Sequence, residues 1–264
     1  IPLIDRAGTY WYHSHAHHRT GLQAYRGMAG MLLIRDDAED RLGLPQGDHE
    51  LPMLVQDRRL AADGTFEYDP VMHERMEGYF GDAPFVNGIR LPSQDVDTST
   101  YRLRIANGTT SRILRLALSN GGPFTLIGVD GGLLAAPVTL ESIDLGTGER
   151  VDVLVSFAND KVGSTVSLVS RAFASPARMG GMGMGGMGGG RGMGRMGASG
   201  IPQGGEMTLV EFRVTKAVKP TAWRPVPLPR VTRPDPARAT RTRTFSFESA
   251  MMQHGINGRA FDME

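Results

Sequence analysis

Apolar and polar residues alternate with a period of two along much of the chain. Tyr101, Leu103 and Ile105 fall on one side of an extended backbone, with Arg102 and Arg104 on the other, and Val151, Val153 and Val155 repeat the pattern. A sheet with one face on a core requires such alternation. Runs of strand-like sequence recur at 51–57, 101–107, 112–119, 124–130, 138–145, 150–157, 165–170 and 207–214. Turn residues separate them: Asp63-Gly64, Asn87-Gly88, Asn107-Gly108, Asn120-Gly121-Gly122 and Gly146-Thr147-Gly148. No amphipathic segment of helical length stands out. The pattern predicts an all-β domain, a Greek-key β-sandwich or barrel, over residues 49–215.

The flanks read differently. Residues 9–15, rich in aromatics, predict a strand, and Met31–Ile34 a second, with Gly21, Gly27 and Gly30 in a turn region between them. This unit is too short to be a domain, so residues 1–40 are expected to be the C-terminal part of one. Residues 217–238 hold six prolines and predict a semi-rigid linker. Strand-like sequence resumes at 242–249 and 256–263, so residues 240–264 are expected to open a further domain. Within the complete domain, residues 179–197 contain only Met, Gly and Arg. Such a stretch cannot bury enough apolar surface to offset its ordering entropy, and a disordered loop is expected.

Composition narrows the function classes. The formal net charge of the 264 residues is +1 and the Lys and Arg are scattered, so no nucleic-acid partner is expected. No apolar run of the ~18 residues needed to span a membrane is present. The chain opens IPLIDRAGTY, without Met and without a signal segment, which is expected of a chain whose beginning is missing. The absence of cysteine excludes disulfides and thiolate metal sites within these residues.

Two features carry chemistry. His13 and His15, two apart in a predicted strand, project from one face with Cα atoms roughly 6–7 Å apart. That spacing suits two imidazoles presented side by side to a pair of metal ions, and imidazole suits copper, zinc, iron and nickel alike. The alternative is a surface pair or part of a hydrogen-bonded core. On a continued strand His17 shares their face, His18 points away, and Tyr10, Tyr12 and Ser14 form the other face. The second feature is the set Met179, Met182, Met184, Met187, Met193 and Met196 in the Gly-rich stretch. Thioethers select Cu(I) and do not titrate, so the loop either recruits Cu(I) or is a neutrally expanded linker.

The segment from Gly8 through Thr9, Trp11, His13 and His15, followed by Gly27, Gly30 and the run to Ile34, resembles the multicopper oxidase signature. Gln56-Asp57, Asn87-Gly88, Leu103 to Gly108, Gly148 to Val155 and Ile256 to Met263 continue the resemblance in the family's order. The last of these looks like the opening of the third domain of bacterial cuprous oxidases. The resemblance implies cupredoxin domains, one complete here with parts of two others. It implies that His13 and His15 are ligands of the type 3 pair in a type 2/type 3 trinuclear copper cluster that reduces O2 to water. No catalytic residue beyond these metal ligands is implied. His17 and His18 would support the site rather than bind metal. The other cluster ligands and the type 1 copper site would lie in N- and C-terminal parts of the same protein that are missing here. Partners are then copper ions, O2 and a small reducing substrate, either Cu(I) or a phenol-like donor. The location implied is periplasmic or secreted. Met251 and Met252 lie near a matching family position, and His49 and His73 are expected to be isolated surface residues. Two other functions compete: a non-catalytic copper-binding module, and a metal-free structural relative.

Overall fold

The computed structural model describes residues 6–175, 200–219, 234–250 and 253–260. The methionine stretch 179–197 and Met251 and Met252 lie outside the described residues. The chain divides into two units, residues 1–229 and residues 230–264.

The larger unit begins with an antiparallel hairpin of β1 (Gly8–His13) and β2 (Ala29–Ile34). Two sheets follow. The larger contains β3 (Glu50–Leu60), with β4 (Phe66–Glu67) beside it, β5 (Ala83–Val86) and β6 (Ile89–Arg90). The smaller sheet begins with β7 (Ser93–Asp97). The larger sheet continues with β8 (Thr100–Asn107), and the smaller with β9 (Leu114–Leu118). β10 (Phe124–Val129) and β11 (Gly132–Leu140) complete one edge of the larger sheet, and β12 (Ile143–Leu145) one edge of the smaller. β13 (Arg150–Ser156) joins the larger sheet, while β14 (Thr165–Ser170) and β15 (Met207–Lys216) join the smaller. The spatial orders are β11-β10-β13-β8-β3-β5-β6 and β12-β9-β14-β15-β7. β3–β8 and β15–β7 pair in parallel and the other ladders of these sheets are antiparallel.

The alternating residues meet between the sheets. Leu103, Ile105, Val153 and Phe124 from the larger pack with Leu116, Leu168 and Phe212 from the smaller, all fully buried. Of the two architectures that the sequence pattern allows, sandwich or barrel, this is the two-sheet sandwich.

Three differences from expectation have identifiable causes. The predicted strand 138–145 is the end of β11 and all of β12, in different sheets, because the chain turns at Glu141-Ser142. Three short α-helices occur among the described residues: α1 (Thr20–Tyr25), α2 (Asp37–Asp40) and α3 (Met72–Glu77). At six residues or fewer they are too brief for a helical period to register. Arg102 and Arg104, on the polar side of β8, are fully buried rather than solvated.

The cause of that burial is the segment 35–50, which crosses the outer face of the larger sheet. Arg102 forks onto Asp152, with Nε donating to Oδ1 at 2.9 Å, and also reaches Glu39. Arg104 pairs with Glu39 and, at 3.0 Å, with Glu50, which Arg35 caps from the rim. Asp36 accepts from the Glu39 amide at 2.7 Å and caps α2, setting the Glu39 carboxylate over the sheet. Leu44 packs beside this cluster on Ile127 and Leu154.

The smaller unit holds an antiparallel three-stranded sheet of β16 (Phe247–Ala250), β17 (Gln253–Ile256) and β18 (Arg259–Ala260).

Candidate metal centre

The run GTYWYH gives β1 its extended backbone, since aromatic and β-branched residues suit a pleated, half-buried surface. Its register against β2 sets Trp11 opposite Met31, Tyr12 opposite Gly30 and His13 opposite Ala29. Gly30 leaves room for the Tyr12 side chain: a Cβ at that position would lie 2.4–2.8 Å from its phenol atoms, and the exposed Tyr12 would have to swing aside. The strand ends at His13, two residues earlier than expected. One further bond, from the Ser14 amide to the Met28 carbonyl at 3.1 Å, closes the hairpin.

His15 lies beyond the strand, yet its ring and that of His13 face each other with centroids 4.4 Å apart and planes inclined by 31°. Trp11 also packs on His13, with ring centroids 4.5 Å apart and planes inclined by 31°. Nδ1 of His13 is 3.0 Å from the Ser14 carbonyl oxygen. A carbonyl only accepts, so Nδ1 carries the proton and Nε2 keeps its lone pair for a metal. His13 is half-buried and His15 exposed.

Because β1 stops, His17 and His18 do not continue its faces. They sit in a turn, where their rings form an edge-on pair at 4.1 Å, and His18 adopts a left-handed φ of 57°. His73 is exposed on α3. His49 is no isolated surface residue: Nε2 is 3.2 Å from Asp97 Oδ2 and the ring packs on Tyr101 at 4.7 Å. Burial lifts the Asp97 carboxyl, but bonds from Ser99 and His49 outweigh that and hold it below the usual carboxylate range.

The sequence reading missed the residues that support the pair. Ser14 donates its hydroxyl to the Gln23 side-chain oxygen. Gln23 belongs to α1, whose end is fixed to β3: the Gln56 amide donates to the Ala24 carbonyl at 3.2 Å, and the Arg59 backbone N–H donates to the Tyr25 hydroxyl at 2.6 Å. Tyr25 is fully buried, and its ring lies under the Arg58 guanidinium at 4.7 Å. Desolvation pushes its hydroxyl pKa well above the ordinary tyrosine value. None of these contacts joins sequence neighbours, so no local signal marks them.

The donor chemistry fits copper: two imidazoles side by side, one with its proton held away from the open nitrogen. They fit as part of a larger ligand set, because among the described residues no three His, Cys, Asp or Glu side chains come together to hold a metal.

Two family models described as multicopper oxidase match the chain, one at residues 1–39 and one at residues 82–173. The chain belongs to the multicopper oxidase family. Its sandwich is accordingly cupredoxin-like. The McoA multicopper oxidase of Aquifex aeolicus superposes with a TM-score of 0.78 at 33% identity, over 98% of this chain and 52% of that one. The laccase-like CueO of Ochrobactrum gives 0.77 at 26% identity, over 100% of this chain and 56% of that one. Among curated relatives, the cell division protein FtsP of Xenorhabdus nematophila is 41% identical over 160 residues, 60% of this chain and 33% of that protein. The laccase of Bacillus subtilis is 35% identical over 165 residues, 59% and 32% respectively. The chain thus spans about a third of the curated relatives it matches and about half of the solved chains. No helix among the described residues is long and apolar enough to cross a membrane.

Proposed function

We propose that this chain supplies two copper ligands, His13 and His15, to a multicopper oxidase that oxidises Cu(I) or phenol-like donors and reduces O2 to water. The stacked imidazoles carry the reading, with the His13 proton held on Nδ1 by the Ser14 carbonyl. Copper bound there would supply one-electron redox chemistry and an oxygen-binding site. The chain's own residues orient that site: Trp11 packs against His13, and the hairpin ladder delivers His13 at the strand's end. Electrons balance when four one-electron donors and four protons convert one O2 to two waters. The remaining ligands belong to parts of the protein outside this chain, and by itself it is inactive. The family resemblance supports a periplasmic or secreted location.

The test uses the copper-loaded full-length protein. His13→Ala is expected to leave the blue type 1 absorption intact and to abolish O2 uptake. Full turnover by that variant removes the pair from the cluster.

A second reading is favoured by a specific observation, the cell division proteins among the curated relatives. On that reading the protein is a scaffold that turns over no oxygen. Copper analysis of the purified full-length protein separates the two: a metal-free protein with no oxidase activity supports the scaffold. Copper held without oxidase activity would instead make it a tolerance module, with the methionine stretch as a Cu(I) site. Titrating a peptide of residues 178–198 with Cu(I) tests that part, and binding no stronger than a glycine-only control ends it.

A further inference from the structure

The structure assigns Gln23 as a positioning residue that fixes the tautomer and orientation of the His13 ring through Ser14. The assignment deepens the metal-site reading above and rests on it for its functional meaning, but not for its test.

The geometry runs in one direction. The ladder of β1 ends at His13, so Ser14, whose carbonyl receives the His13 Nδ1 proton, lies past the strand. Its amide is held by the Met28 carbonyl, and its side chain is tethered to Gln23. Gln23 is not a free surface amide. The residues after it, Ala24 and Tyr25, are buried and bonded to Gln56 and Arg59 of β3. Three links therefore join a central strand to one imidazole: β3 to α1, α1 to Ser14 through Gln23, and the Ser14 carbonyl to Nδ1. An imidazole binds a metal through its unprotonated nitrogen, and the bond made by the other nitrogen decides which one that is. With the Gln23 tether cut, Ser14 keeps its amide bond to Met28 but loses the side-chain anchor; its carbonyl turns away from Nδ1 and the proton partitions between the two nitrogens.

The experiment reads the tautomer in the metal-free 264-residue chain, by long-range nitrogen–proton NMR correlations of the neutral His13 ring. The unsubstituted chain is expected to show the Nδ1–H form. Gln23→Ala is expected to lower the ratio of Nδ1–H to Nε2–H by roughly fivefold, the worth of one ordinary hydrogen bond. Gln23→Glu, which keeps an acceptor oxygen for Ser14, is expected to restore the ratio. Ser14→Ala cuts the same tether from the other end and decides the question should Gln23→Ala not fold. An Nε2–H form in the unsubstituted chain, or an unchanged ratio in Ser14→Ala, overturns the assignment. Because no copper is present, this result is independent of whether the full-length protein proves to be an oxidase.

Discussion

Glu39 illustrates how one side chain can carry more than its sequence neighbourhood announces. It accepts from both Arg102 and Arg104, all three fully or almost fully buried. Removing one partner of a buried ion cluster strands the others without water, which costs about 3–5 kcal/mol. Glu39→Ala is therefore expected to lower the unfolding free energy of the chain, measured by urea denaturation, by an amount in that range, and a loss below about 1 kcal/mol would contradict it. Backbone packing is as exacting at Gly81. A Cβ there would fall 2.4–2.6 Å from the Arg58 backbone, which cannot move aside as a side chain can. Gly81→Ala is expected to cost at least about 1–3 kcal/mol. Gly131, where nothing lies within 4 Å of an added Cβ, is the matched control and should tolerate Ala within about 0.5 kcal/mol.

Among the elements, α1 depends on tertiary contact most directly. Its six residues cannot hold a helix alone in water, and Tyr25 anchors it. Tyr25→Phe leaves the Arg59 amide without its acceptor and is expected to destabilise the chain by about 1–3 kcal/mol. The same hydroxyl makes stability pH-dependent. Its folded pKa is raised by desolvation, so its contribution is fully present below the unfolded value of about 10 and is lost as pH rises beyond it. Tyr68, Tyr79 and Tyr101 are raised for the same reason and act in the same sense. Equilibrium denaturation is expected to show stability falling above about pH 10, with a shallower fall in Tyr25→Phe. The strands that escaped sequence reading are also contextual. Ser93–Asp97 buries only Val96 fully and is a strand because β15 pairs with it in parallel.

Across the larger unit, the sandwich core and the outer cover are of different kinds. The core between the sheets is apolar and continuous, whereas the outer face of β8 and β13 is closed by a charged cluster under residues 35–50. A chain trimmed to residues 49–219 keeps the core but loses Arg35, Glu39 and Leu44. It is expected to fold with a denaturation midpoint well below that of the whole chain, by at least about 3 kcal/mol in free energy. Equal stability would make the cover dispensable. The alternation of Tyr101, Leu103 and Ile105, and of the three valines of β13, determined by itself which residues face the core, because a pleated strand allows only two faces and apolar side chains leave water whenever a sheet offers them one. The nearness of the His13 and His15 rings was legible from their spacing, although His15 lies past the end of β1 and the strand period does not place it. Only the tertiary structure decided what lay on the opposite faces. Arg102 and Arg104 read as solvated until Glu39 arrived from more than sixty residues away, and the Ser14 tether depended on a helix held by β3. Such contacts join charges and amides across long sequence separations, where no period exists to reveal them.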